Sequence, residues 1–183
     1  MVIFNHRTKR SSASRRLDNW EGDFQLNGNP IKIVNSIRYL GSWLDDKLSA
    51  KKHISKKRSA AYCSYNRVKK LGFSSVHSGC YLKGNMYKVY VRTVALYEIE
   101  NFNLTENEIN KLSATEKQIL KKMMGLTKIC QSKDFFRSLG IELTEQRYKI
   151  AKLKFMLRIK SKSFTEKLYE EFKKLNVRNS FPD

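Results

Sequence analysis

The sequence predicts an α+β fold, a small N-terminal antiparallel β portion followed by a helical bundle. Three observations predict it. Short apolar runs separated by turn residues occupy residues 1–46. After Asp46 the apolar spacing lengthens from two residues to the helical period. From there on, capping residues and glycines bracket each periodic stretch.

The elements follow in order. Residues 1–5 read as a strand, and the polar, basic stretch 6–23 reads as a loop. Residues 24–26 and 31–34 flank Asn27-Gly28-Asn29-Pro30, which signals a hairpin. Residues 37–44, rich in aromatic and branched side chains, read as one further strand. A helix is expected over about 48–71, with Ile54, Ala61, Tyr65 and Val68 on its apolar face and Lys52, Lys56, Arg67 and Lys70 opposite. Leu71-Gly72-Phe73 ends it. A second helix, about 78–98, is expected to bury Leu82, Met86, Val89, Tyr90, Val94 and Tyr97, with Lys88 and Arg92 on the far side. A third begins at Thr105, where Thr105-x-x-Glu108 is a capping box. Its apolar face holds Ile109, Leu112, Ile119 and Met123, and Gly125 stops it.

Residues 133–140 read as a short helix closed by Gly140. Thr144 is placed to cap the next helix, which runs to about 160. In it Tyr148, Phe155 and Ile159 share one face, while Arg147, Lys154 and Arg158 form a basic stripe through Ala151. A final amphipathic helix is expected over about 163–176. These elements group into three segments: β-rich 1–46 with its basic loop, helical 47–125, and a basic helical extension over 126–183.

Charge bounds the function. The chain of 183 residues has 37 Lys and Arg against 17 Asp and Glu, a net charge of +20. No fold requires that excess, and self-repulsion opposes compaction, so a polyanionic partner is implied. Residues 1–70 carry net +11, 71–125 net +2 and 126–183 net +7, so two basic arms flank a near-neutral middle. Nine basic residues lie between Lys47 and Leu71 with no Asp or Glu among them. Like charge on one helix is destabilising unless a partner neutralises it. Phosphate is that partner, through contacts that are sequence-independent and sensitive to salt. A membrane surface fits less well, because the apolar helix faces are needed for the core.

Other chemistries lack their residues. Cys63, Cys80 and Cys130 are odd in number and scattered, which argues for a reducing compartment, nucleus or cytoplasm, over a disulfide framework. His77-x-x-Cys80 is half of a zinc pattern without its second half. No phosphate loop or dinucleotide fingerprint occurs. Asp45-Asp46 is the one acidic pair that suggests a metal, as in a small nuclease, but further carboxylates at suitable positions are missing. An acid before a helix N-terminus, favoured by the dipole, accounts for it.

Tyr39-Leu40-Gly41-Ser42-Trp43-Leu44-Asp45, then Leu48-Ser49 and His53-Ile54, resembles the YLGxxLD, LS and HI run of non-LTR (LINE-type) retrotransposon reverse transcriptases. There the run closes the palm and enters the thumb. Residues 1–4 resemble the preceding strand and 24–34 the hairpin between. Residues 87–98 look like the helix that follows, where many relatives have Tyr-Gly-x-Glu; here Tyr97-Glu98 stands without the Gly. Leu120-Lys121-Lys122-Met123-Met124-Gly125, Leu139-Gly140-Ile141 and the helix at 148–158 resemble the segments after it. The resemblance covers about residues 1–160. It implies a palm remnant followed by a thumb-like bundle that grips an RNA and DNA template–primer duplex through helix faces like that of Lys52, Lys56, Arg67 and Lys70, and the charge reading adds Lys88, Arg92, Arg147, Lys154 and Arg158 as contacts. It also implies a fragment that catalyses nothing. The family's catalytic aspartates, which use Mg²⁺, lie N-terminal to everything present here. So no catalytic or metal-binding residue carries over, and no cofactor is expected in this chain. A free-standing basic binding module derived from such an element is the alternative.

Overall fold

A computed structural model describes residues 25–30, 34–73, 75, 77–127, 129–131 and 133–174. The strand expected at 1–5, the loop at 6–23 and the outer ends of the first hairpin lie outside the described residues. The fold is α+β with a helical majority. The chain divides into two compact units, Met1–His53 and Ile54–Asp183.

In the first unit, β1 (Gln25–Leu26) pairs antiparallel with β2 (Asn29–Pro30). Asn27 and Gly28 both adopt positive φ, 52° and 78°, the pair a tight primed turn requires. The single strand expected over 37–44 is instead a second hairpin. β3 (Ser36–Tyr39) pairs with β4 (Ser42–Asp45) in the register Ser36↔Asp45 to Tyr39↔Ser42. Leu40 (φ 47°) and Gly41 (φ 96°) make its turn. The aromatic and branched residues on both sides of Leu40 read as one strand and hide a reversal that only Gly41 signals. The joint to the first helix is closed locally. Asp45 Oδ1 accepts from Ser49 N at 2.6 Å, and its other oxygen accepts from the Ser49 hydroxyl. Trp43 N donates to Nδ1 of the fully buried His53 at 3.2 Å. Asp45 thus closes the turn into the first helix. Among the described residues no three metal-ligating side chains cluster.

α1 (Lys51–Lys70) begins in the first unit and runs into the second. Its expected apolar face is the observed one: Ile54, Ala61, Tyr65 and Val68 are buried. Gly72, at φ 83°, turns the chain beyond it. The next helical run comprises α2 (Cys80–Met86), a π segment (Tyr87–Arg92) and α3 (Thr93–Ala95). Two carbonyls of the π segment have side-chain donors: Thr93 donates to Val89 O and Ser64 to Tyr90 O, each at 2.6 Å. Hydroxyls that take carbonyls from the helical ladder favour such a widened turn.

This run buries the other stripe. Gly84, Tyr87, Val91, Arg92 and Ala95 face the core, while Leu82, Val89, Tyr90 and Tyr97 are exposed. Two apolar stripes share this helix, and the one beside a polar partner in the fourth helix won. Gly84 allows close packing, since a Cβ there would stand 3.2 Å from Leu139 Cδ2.

A short 3-10 turn (Ile99–Asn101) leads to α4 (Glu106–Met124). The capping box forms as expected: Glu108 N donates to Thr105 Oγ1 and Thr105 N to Glu108 Oε2. Gly125 ends α4 at φ 72°. Leu112, Ile119 and Met123 are buried, together with Leu120. α5 (Lys133–Ser138), α6 (Thr144–Lys160) and α7 (Ser163–Lys174) complete the described helices. Thr144 does not cap α6. It is the first helical residue and is buried, and Leu143 N donates to Gln146 at the helix start instead. One core joins α1, the 80–95 run, α4 and α5 through Tyr65, Tyr87, Val91, Ile119, Met123 and Phe136. A fully buried Leu or Ile in it contributes about 1.5–3 kcal/mol.

Candidate nucleic-acid interface

Nine basic residues are expected to meet nucleic acid, and the structure sorts them into three groups. On α1, Lys56, Arg67 and Lys70 are exposed on the side away from the buried face. Arg67 and Lys70 have no ion-pair partner among the described residues. Lys52 belongs to the first unit, where its ammonium donates to Ser36 Oγ and lies 5.6 Å from the Trp43 ring centroid. It is therefore partly engaged at the hairpin joint.

The second group shares a cleft of about 850 Å³ in the helical unit. Lys88 enters it from the 80–95 run, and Arg147, Lys154 and Arg158 enter from α6. The predicted basic stripe through Ala151 is intact, with Ala151 in the wall. Leu96, Ile99, Ile150 and Leu157 supply apolar surface. Three carboxylates also line the cleft. Glu100 lies 3.7 Å from Arg158, and Glu142 lies 3.8 Å from Arg147. Glu98 raises the pKa of the neighbouring Tyr97 phenol, first by its charge and then by hydrogen bonding. The Tyr97 ring also holds Lys57, whose Nζ is 4.3 Å from the centroid. Lys88 and Lys154 have no ion-pair partner among the described residues.

Arg92 stands apart, and its expected place on the open face is corrected. It is buried, with Nε 3.2 Å from Glu116 Oε1, and it donates from Nη2 to Glu142 O at 2.6 Å. The Nε contact is ionic rather than directed, because that buried nitrogen has no hydrogen-bond partner. Glu116, itself buried, accepts from the Tyr87 hydroxyl and the Thr144 hydroxyl, each at 2.6 Å. Burial, then the Glu116 charge and hydrogen bond, hold the Tyr87 phenol well above its ordinary pKa. Four side chains from three helical regions thus close a polar knot, of which Arg92 also lines the cleft. Nothing in sequence spacing joins Arg92, Glu116 and Thr144, so only the fold reveals it.

Behind the cleft, α6 is held by polar contacts to the segment before α4. Tyr148 donates to Phe102 O and accepts from Leu104 N, at 3.0 and 3.1 Å. Lys152 donates to Glu100 O and Asn103 Oδ1. Burial lowers the Lys152 pKa, partly offset by Glu100. Asn103 thus has a local structural role within the sequon-like Asn103-Leu104-Thr105. His77 and Cys80 of the half zinc pattern are both exposed.

No family model, curated protein or solved structure matches this chain. Among the described residues, no helix is long and apolar enough to cross a membrane.

Proposed function

We propose that this chain is the palm-end and thumb portion of a reverse transcriptase of the non-LTR retrotransposon class. In this reading it acts in the nucleus or cytoplasm and grips the backbone of an RNA and DNA template–primer duplex without catalysing. The observation that carries the reading is α1. The sequence has nine basic residues and no Asp or Glu over 47–70, and Lys56, Arg67 and Lys70 face solvent opposite the core. Such a face is costly alone and favourable against phosphate.

Two local features support the family side of the reading. The pieces of the resembling run contact one another: Asp45 binds Ser49, and Trp43 binds His53. Contacts among the motif's own residues give its spacing a structural cause. In addition, Glu98 adopts φ 60° at the position where the resemblance expects Gly after Tyr97. Glycine enters that left-handed conformation without the strain a side chain imposes. No residue is assigned a catalytic or metal-binding role, and Mg²⁺ belongs to the complete enzyme in this reading.

Anisotropy with a labelled RNA–DNA duplex tests it. Lys56→Glu, Arg67→Glu and Lys70→Glu together are expected to weaken binding about tenfold or more, alike for unrelated sequences. Unchanged affinity in that variant would remove the α1 face from the account.

A further inference from the structure

The cleft in the helical unit has a different chemistry from the α1 face. α1 offers charge on a convex surface, which suits the backbone of a stiff duplex. The cleft is concave and sets amines beside an apolar wall. A paired base cannot reach such a wall, because its faces are stacked and its edges joined. An unpaired nucleotide can lay its base on apolar surface while its phosphate meets an amine.

The charges divide accordingly. Glu100 and Glu142 are each within 4 Å of an arginine, so Arg158 and Arg147 are partly neutralised. Lys88 and Lys154, from helical segments far apart in sequence, have no ion-pair partner among the described residues. Ile150 and Leu157 are 36% and 67% exposed within the lining, so apolar area is available to a ligand. The volume is of the size that encloses small ligands.

We infer that this cleft binds an unpaired segment of RNA or DNA, with phosphate on Lys88 and Lys154 and a base against Ile150 and Leu157. The inference rests on the nucleic-acid reading but assigns a second site with its own ligand form.

The test uses the full chain and a labelled single strand of about eight nucleotides, within the usual range for such sites. Lys88→Gln with Lys154→Gln is expected to lower single-strand affinity about tenfold, as is Leu157→Gln. Leu157→Gln should leave duplex affinity within about twofold, while the α1 variant weakens duplex binding and leaves single-strand binding within about twofold. Leu157 is largely exposed, so its replacement spares the fold, and thermal melting verifies this. Leu157→Gln should also leave affinity for an abasic strand unchanged. Loss of single-strand and duplex binding together in Leu157→Gln, or of neither, would overturn the inference. So would displacement of the strand by oligoglutamate as readily as by unlabelled strand, which would make the cleft a seat for an acidic protein segment. If the α1 variant keeps duplex affinity while the cleft variants lose the single strand, the duplex reading fails and the cleft survives.

Discussion

α1 and the helical run at 80–95 follow one another in the chain, and both mix apolar and basic residues. α1 keeps Lys56, Arg67 and Lys70 away from the core, whereas the later run draws Arg92 and Lys83 into it. The difference lies in how many apolar stripes each offers. α1 has one, so burial of Ile54, Ala61, Tyr65 and Val68 fixes its orientation. The 80–95 run has two stripes that share the helix about equally. Its orientation is decided by Glu116 on α4, which can satisfy Tyr87, Arg92 and Thr144 at once. Buried polar groups must find partners, and that requirement outweighed the competing apolar stripe. One helix therefore leaves charge exposed, and the other uses charge to set its own rotation.

The comparison is broken most severely at Glu116. Glu116→Ala strands the Arg92 guanidinium in the core and is expected to destabilise the protein by about 3–5 kcal/mol. Urea unfolding measures this, and a loss below about 1 kcal/mol would mean the knot does not orient the run. Tyr87→Phe removes one hydrogen bond to the same carboxylate and should lose about 1–2 kcal/mol. Its pH dependence sharpens the point. Because the folded pKa of Tyr87 is raised, its stabilisation is present below the unfolded value near 10 and disappears as pH climbs toward the folded value. Stability of the Phe variant should therefore fall less steeply above about pH 10. Equal slopes would show that the phenol is not held by Glu116.

Glu98→Gly should raise stability by about 0.5–1 kcal/mol by relieving the left-handed backbone. The gain is reduced because the Tyr97 contact is lost, and a net loss would show that this contact outweighs the strain. The smallest effect is expected on α1, where Lys56→Glu, Arg67→Glu and Lys70→Glu should change stability by no more than about 0.5 kcal/mol each. A larger loss would mean that these groups serve the fold and not a ligand.

The fold class, the α1 face, the α4 capping box and the α6 basic stripe were legible because each rests on local spacing. The second hairpin was not, since the aromatic and branched residues on both sides of Leu40-Gly41 have the composition of one strand while the chain reverses. Burial of Arg92 and Thr144 was not legible either. Both depend on Glu116, and no periodic signal links residues so far apart. The cleft was half legible: its α6 stripe could be read, but not Lys88 beside it or the apolar wall between.

We propose that the exposed basic face of α1 meets phosphate. The most direct measurement is the affinity of the full chain for an RNA–DNA duplex over a salt series. A linear log–log fall with a slope of roughly −0.9 per phosphate contacted is expected, with a shallower slope for the Lys56, Arg67 and Lys70 variant. A salt-independent affinity, or the same slope in both proteins, would contradict it.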